Sequence, residues 1–202
     1  MQMSTRKIKM PMEAHTAIIC GRTNCGKTKF MLDLLESAYL EKFKNIIIVC
    51  PTFKTNETYK ERDWVSSLIH VDPGKELNKT LETLHGKYKG EKTLYIVDDC
   101  SALVDMKKKN SALSQLAFSG RHDKQSLWII TQRYNSVLKD VRTQTQWVCL
   151  FHCKDADSFK ECLNENDVVP DEKRKEIKQD LKAGRYKKLI LVTEHPYGYI
   201  VC

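Results

Sequence analysis

No stretch of this chain approaches the roughly 20 consecutive apolar residues that a helix needs to cross a bilayer, so no membrane span is expected. Residues 1–12 are basic but contain no apolar segment, and are not expected to act as a secretory leader. No internal repeat and no low-complexity linker breaks the chain. Its 202 residues therefore read as one domain, 1–202, with 1–12 as a short basic N-terminal segment. Eight cysteines are present, but no two are spaced CxxC, which argues against a zinc ribbon. Cys20, Cys50, Cys149 and Cys202 lie in or beside apolar runs, as buried thiols do rather than a disulfide framework. Cys149, His152 and Cys153 are close in sequence, but on a strand His152 points away from Cys153. A reducing, intracellular setting follows.

The charge is unbalanced. Net charge is +8, which suits a polyanionic partner such as nucleic acid or an anionic membrane surface. A lysine-rich solvated surface accounts for it equally well.

Short apolar runs alternate with amphipathic stretches. Strands are expected at 17–20, 45–50, 93–97, 126–131 and 146–151, with a further short one within 65–71. Helices are expected at 27–40, 76–88, 110–118, 136–141, 155–163 and 171–183. The first would bury Phe30, Met31, Leu34, Leu35 and Ala38; Asp155 would cap its helix, and Gly184 would end the last. Continuous apolar strands alternating with helices imply a parallel sheet covered on both faces. Runs 189–193 and 197–201 have no crossover helix between them, so they must pair antiparallel if they pair.

Gly21-Arg22-Thr23-Asn24-Cys25-Gly26-Lys27-Thr28 matches G-x-x-x-x-G-K-[ST] at every position, between an expected strand and an expected helix. Glycines let the backbone curl so that successive N–H groups point at phosphate. The helix N-terminus adds its positive end. Lys27 is expected to reach the β- and γ-phosphates of a nucleoside triphosphate, and Thr28 to ligate Mg²⁺. Cys25 sits among these amides; it reads as a small residue tolerated there, although a positive setting can lower a thiol pKa.

A phosphate loop needs a second acidic site to anchor the metal. Asp98 follows a buried strand and fits that role; Asp99 then stands where a carboxylate orients attacking water. Gln132, at the tip of the 126–131 strand, is a candidate contact to the γ-phosphate or water. The short runs Lys107–Lys109 and Lys173–Lys175 read mainly as solvated faces, though the first could face a pore.

With these residues in hand, the chain resembles the poxvirus-type viral genome-packaging ATPases of the FtsK/HerA P-loop superfamily. It is most similar to versions in small eukaryotic DNA viruses and Polinton or Maverick elements. The likeness runs from about Pro11 to the C-terminus. It rests on GRTNCGKT, the strand ending Asp98-Asp99, Ser119-Gly120-Arg121-His122, the strand ending Thr131-Gln132, and the later Val141-Arg142. The resemblance implies an α/β P-loop NTPase with a RecA/FtsK-like parallel sheet flanked by helices and antiparallel strands added at the C-terminal edge. It also implies ATP and Mg²⁺ as cofactors and a homo-oligomeric ring of five or six subunits around double-stranded DNA. Capsid portal or vertex proteins are the implied partners, in an infected cell or virion. Such a ring needs an arginine supplied in trans, for which Arg121, Arg133 and Arg142 are candidates, with backbone-phosphate contact or surface ion pairing as their alternatives. Asp99 departs from the glutamate common in the superfamily.

Two other functions are consistent with a phosphate loop. A nucleoside or nucleotide kinase would carry an arginine-rich lid, and none is evident. A low-turnover nucleotide-gated binding module would not require the full set of hydrolytic residues.

Overall fold

The computed structural model describes residues 9–100 and 111–202. The run Lys107–Lys109 therefore lies outside the described residues. Eight strands form one sheet: β1 (Thr16–Cys20), β2 (Asn45–Val49), β3 (Ile69–Val71), β4 (Thr93–Asp98), β5 (Gln125–Thr131), β6 (Trp147–Phe151), β7 (Lys188–Val192) and β8 (Gly198–Val201). Their spatial order is β3-β2-β4-β5-β1-β6-β7-β8. The first six pair in parallel, and β7 and β8 add antiparallel at the C-terminal edge. β1, β4, β5 and β6 are buried at every position, as both-face-covered parallel strands must be.

The helices are α1 (Lys27–Leu34), α2 (Glu57–Lys60), α3 (Leu77–Lys87), α4 (Ala112–Ser119), α5 (Lys139–Arg142), α6 (Ala156–Asn166) and α7 (Asp171–Ala183). One face of the sheet is packed by α3, α4, α6 and α7 through Leu81, Leu116, Cys162 and Leu181. The other face carries Met31, Leu32 and Leu35 from α1 and the turn after it, against Trp128 and Trp147. Each fully buried large side chain there contributes about 1.5–3 kcal/mol of transfer free energy.

Three details differ from expectation. The helix expected at 27–40 is α-helical to Leu34 and continues as a π-turn at Leu35–Tyr39. Wider winding rotates the buried set to Met31, Leu32, Leu35 and Tyr39, leaving Phe30, Leu34 and Ala38 half-buried. The helix expected at 136–141 is a 3₁₀ turn, Tyr134–Ser136, followed by α5. Gly184 does end α7, but in an extended conformation at φ −139° rather than a left-handed cap. Asp155 caps α6 as expected, its carboxylate accepting from the Ser158 N–H at 2.7 Å.

His15 enters β1 from within the apolar layer. Its Nε2 accepts from the Trp128 indole at 2.8 Å, and its Nδ1 lies 2.7 Å from the Glu13 carbonyl. That pairing requires the neutral ring with the proton on Nδ1. Burial pushes the pKa down to about 4, with the Glu13 carbonyl pulling the other way. The folded chain thus binds fewer protons than the unfolded chain between an ordinary histidine value and about 4. Stability from this site is full above pH 6.5 and declines as pH falls toward 4, by roughly 3 kcal/mol in total. Thermal denaturation across that window should show His15→Gln with a shallower pH slope than wild type, from a lower neutral-pH baseline. Equal slopes would show that His15 does not carry this dependence.

Candidate functional site

The phosphate loop leaves the sheet where β1 runs between β5 and β6. The Gly21 N–H donates to the Thr131 carbonyl at 3.2 Å, and the Arg22 N–H to the His152 carbonyl at 3.1 Å. The root of the loop is thus fixed to both neighbouring strands. Gly21 has no room for a side chain: a Cβ would stand 2.6 Å from Phe151 Cβ and 2.8 Å from Cys25 Sγ. Asn24 at φ 59° and Gly26 at φ 94° take left-handed conformations, the alternation that turns backbone N–H groups to one concave side. Gly26 precedes α1, and no side chain caps that helix. Its orphan N–H groups are left to an anion.

Lys27 Nζ donates to the carbonyls of Gly21 at 2.8 Å and Arg22 at 3.0 Å, which holds the ammonium inside the loop. Cys25 is buried beneath it. Burial pushes the thiol pKa up, and the Lys27 charge opposes this only in part. Cys25 therefore stays a neutral packing residue.

Asp98 ends β4, two strands from β1. Its Oδ2 accepts from the Thr28 hydroxyl at 3.2 Å and from the Tyr59 hydroxyl at 2.6 Å. Burial pushes the carboxyl above the ordinary aspartate value, while the Tyr59 and Thr28 hydroxyls pull it down. Asp98 and Thr28 bring two hard oxygen donors together beside the loop, a donor set that fits Mg²⁺.

Asp99 is exposed, at φ 56°. Its Oδ2 accepts from the Thr52 hydroxyl at 2.8 Å. Thr52 follows β2, which borders β4 on the side away from β1. This contact draws the Asp99 carboxylate away from the phosphate loop. Thr52 and Tyr59 belong to one β2–β3 connection, so a single segment holds both acids. Neither residue stands out in the sequence, because nothing in their local pattern signals contact with a strand about 40 residues later.

A cleft of about 390 Å³ joins these parts. Loop residues Thr23, Asn24, Gly26, Lys27 and Thr28 line it, together with Asp98, Asp99, Gln132, Arg185 and Tyr186. Arg185 and Tyr186 escape the sequence reading, since they lie 157 or more positions beyond Thr28 and carry no motif.

The structure does not bring Arg121 or Arg142 into this cleft. Arg121 lies in the turn entering β5, at the opposite sheet edge, and pairs with Glu194 at 3.0 Å on the exposed surface. Arg142, read above as a candidate trans arginine, is folded into its own subunit. It is 7% exposed and ion-paired to Glu161 at 3.0 Å and Glu165 at 3.2 Å. Its guanidinium also covers the Tyr134 ring at 5.1 Å. Arg133 is exposed beside Gln132.

This assignment has a stability signature. Arg142→Ala leaves Glu161 and Glu165 without their buried cation and should cost about 3 kcal/mol, read from chemical denaturation. Arg121→Ala, losing one exposed pair, should cost under about 1 kcal/mol. Equal and small losses for both would contradict the structural role of Arg142.

Comparisons with known proteins bear on the family and the fold. The family profile described as Poxvirus A32 protein matches residues 5–193. Curated protein sequences yield no significant match. Among solved structures, the genome packaging NTPase B204 from Sulfolobus turreted icosahedral virus 2, in complex with AMPPCP, is similar at TM-score 0.69 and 16% identity. That match covers 95% of this chain and 98% of B204. The cytoplasmic domain of the Thermomonospora curvata Type VII secretion ATPase EccC is similar at TM-score 0.64 and 16% identity, over 92% of this chain but 25% of that one. With the profile spanning nearly the whole length, the chain belongs to the Poxvirus A32 protein family, a viral packaging ATPase of the P-loop class.

Proposed function

We propose that this chain is an ATP-hydrolysing motor that moves double-stranded viral DNA into a capsid. The observation that carries the reading is the meeting of Thr28 and Asp98 at the mouth of the phosphate loop, with Asp99 and Gln132 in the same cleft. A kinase would need a second substrate pocket opposite the γ-phosphate. The acid pair there instead favours water as the acceptor.

The roles follow from position. Backbone N–H groups of Thr23, Asn24 and Gly26 and those opening α1 cradle phosphate, on a loop whose root the Gly21 and Arg22 N–H groups hold to the sheet, and Lys27 exchanges its loop carbonyls for phosphate oxygens. Thr28 and Asp98 would hold Mg²⁺, which when bound neutralises charge on the β- and γ-phosphate oxygens. Asp99, released from Thr52, orients the attacking water and takes up its proton. Gln132, extending from β5 between β1 and β4, contacts the γ-phosphate or that water. The remaining charge calls for a cation from a neighbouring subunit, and Arg121 and Arg133 are the exposed candidates. This implies a homo-oligomeric ring of five or six subunits around the DNA, docked on a capsid portal or vertex. The working place is inside an infected cell or on the virion. The net charge of +8 supports a polyanionic track.

Asp99→Asn should keep ATP affinity within a few-fold while turnover falls by about 10²-fold or more. Wild-type turnover should rise with double-stranded DNA, and DNA affinity should fall steeply with salt as counterions are released. Unchanged turnover in Asp99→Asn would remove Asp99 from the water-orienting role. Phosphoryl transfer to a nucleoside would replace the motor with a kinase.

A further inference from the structure

We infer that Tyr186, latched in place by Arg185, is the platform on which the base of the bound nucleotide stacks. The inference rests on the nucleotide reading above and extends it from the phosphates to the other end of the ligand.

Topology sets the direction. The two residues occupy the turn from α7 into β7. Lys188, the first residue of β7, pairs antiparallel with Phe151, the last residue of β6. The turn therefore emerges at the same sheet edge as the phosphate loop. Strand order places β4 and β5 on one side of β1, and β6 and β7 on the other. Asp98, Asp99 and Gln132 end or follow the strands of the first side, and Arg185 and Tyr186 precede β7 on the second; all five line the cleft. A nucleoside triphosphate whose γ end faces the acids must extend its base toward the second side.

Chemistry fits that place. Tyr186 is 57% exposed, a large ring turned to solvent beside a charged loop. It lies over Gly26, where an added Cβ would stand 2.9 Å from its Cδ1. Arg185 Nε donates to the Asn24 carbonyl at 2.8 Å, tying the turn to the loop backbone. The same guanidinium sits 5.3 Å from the centre of the Tyr186 ring. The aromatic face is thus fixed relative to the cradle before any ligand arrives, and a planar base gains by stacking on it.

The test separates the two ends of the ligand. Calorimetry on the full chain with Mg²⁺ measures binding of ATP and of inorganic tripolyphosphate, which has no base. Tyr186→Ala should weaken ATP about ten-fold and leave tripolyphosphate unchanged, while Tyr186→Phe keeps wild-type affinity for both. Tyr186 is exposed, so the variant's melting temperature should match wild type. If ATP and tripolyphosphate weaken together, Tyr186 acts on the phosphates and the platform is wrong. Unchanged ATP binding in Tyr186→Ala also overturns it. Wild type that binds neither ligand would instead sink the underlying nucleotide reading.

Discussion

The contact between the Thr28 hydroxyl and the Asp98 carboxylate is the constraint on which the site depends. Thr28 lies in the first turn of α1, after β1; Asp98 ends β4. β5 lies between those strands, and at about 4.8 Å per neighbour the two strand axes are nearly 10 Å apart. Only a helix that starts at the loop and leans over the sheet edge closes that gap. The register aligns the ends: Cys20 pairs with Thr131, and Asp98 with Ile130. Both acids, the glutamine and the loop therefore emerge within one residue of a common level. A slip in any of these parallel pairings would separate the two oxygens proposed to share an ion.

The β2–β3 connection adds a second layer. Tyr59 brings a hydroxyl to Asp98 from a fully buried ring, which packs on Phe53 at 4.8 Å. Thr52 takes Asp99 toward β2. The first contact steadies a buried carboxylate; the second holds an exposed one. On the role proposed for Asp99, hydrolysis would require the Thr52 bond to exchange for a water, and movement of this one connection would alter both acids together.

Much of this was legible in the residues. The parallel strands were readable because two-sided burial writes an unbroken apolar run, as in Ile46-Ile47-Ile48-Val49. The closing antiparallel pair followed from a link too short for a crossover. The loop was readable because eight contiguous positions carry the whole phosphate cradle. Contacts that fold together distant segments were not. Tyr59, Thr52, Arg185 and Tyr186 join the cleft through tertiary approach alone. The surroundings of Arg142 were hidden in the same way. The arginine was singled out by the likeness of its segment, and its burial against Glu161 and Glu165 of α6 is a tertiary approach the local pattern does not carry.

The central claim is that Thr28 and Asp98 form one metal site with the phosphate loop. ATP affinity measured with and without Mg²⁺, in wild type and in Asp98→Asn, tests it directly. Wild type should bind ATP at least ten-fold more tightly with Mg²⁺. Asp98→Asn should stay folded, since burial already disfavours the charge, and should lose that Mg²⁺ dependence. The same Mg²⁺ enhancement in both proteins would contradict the account.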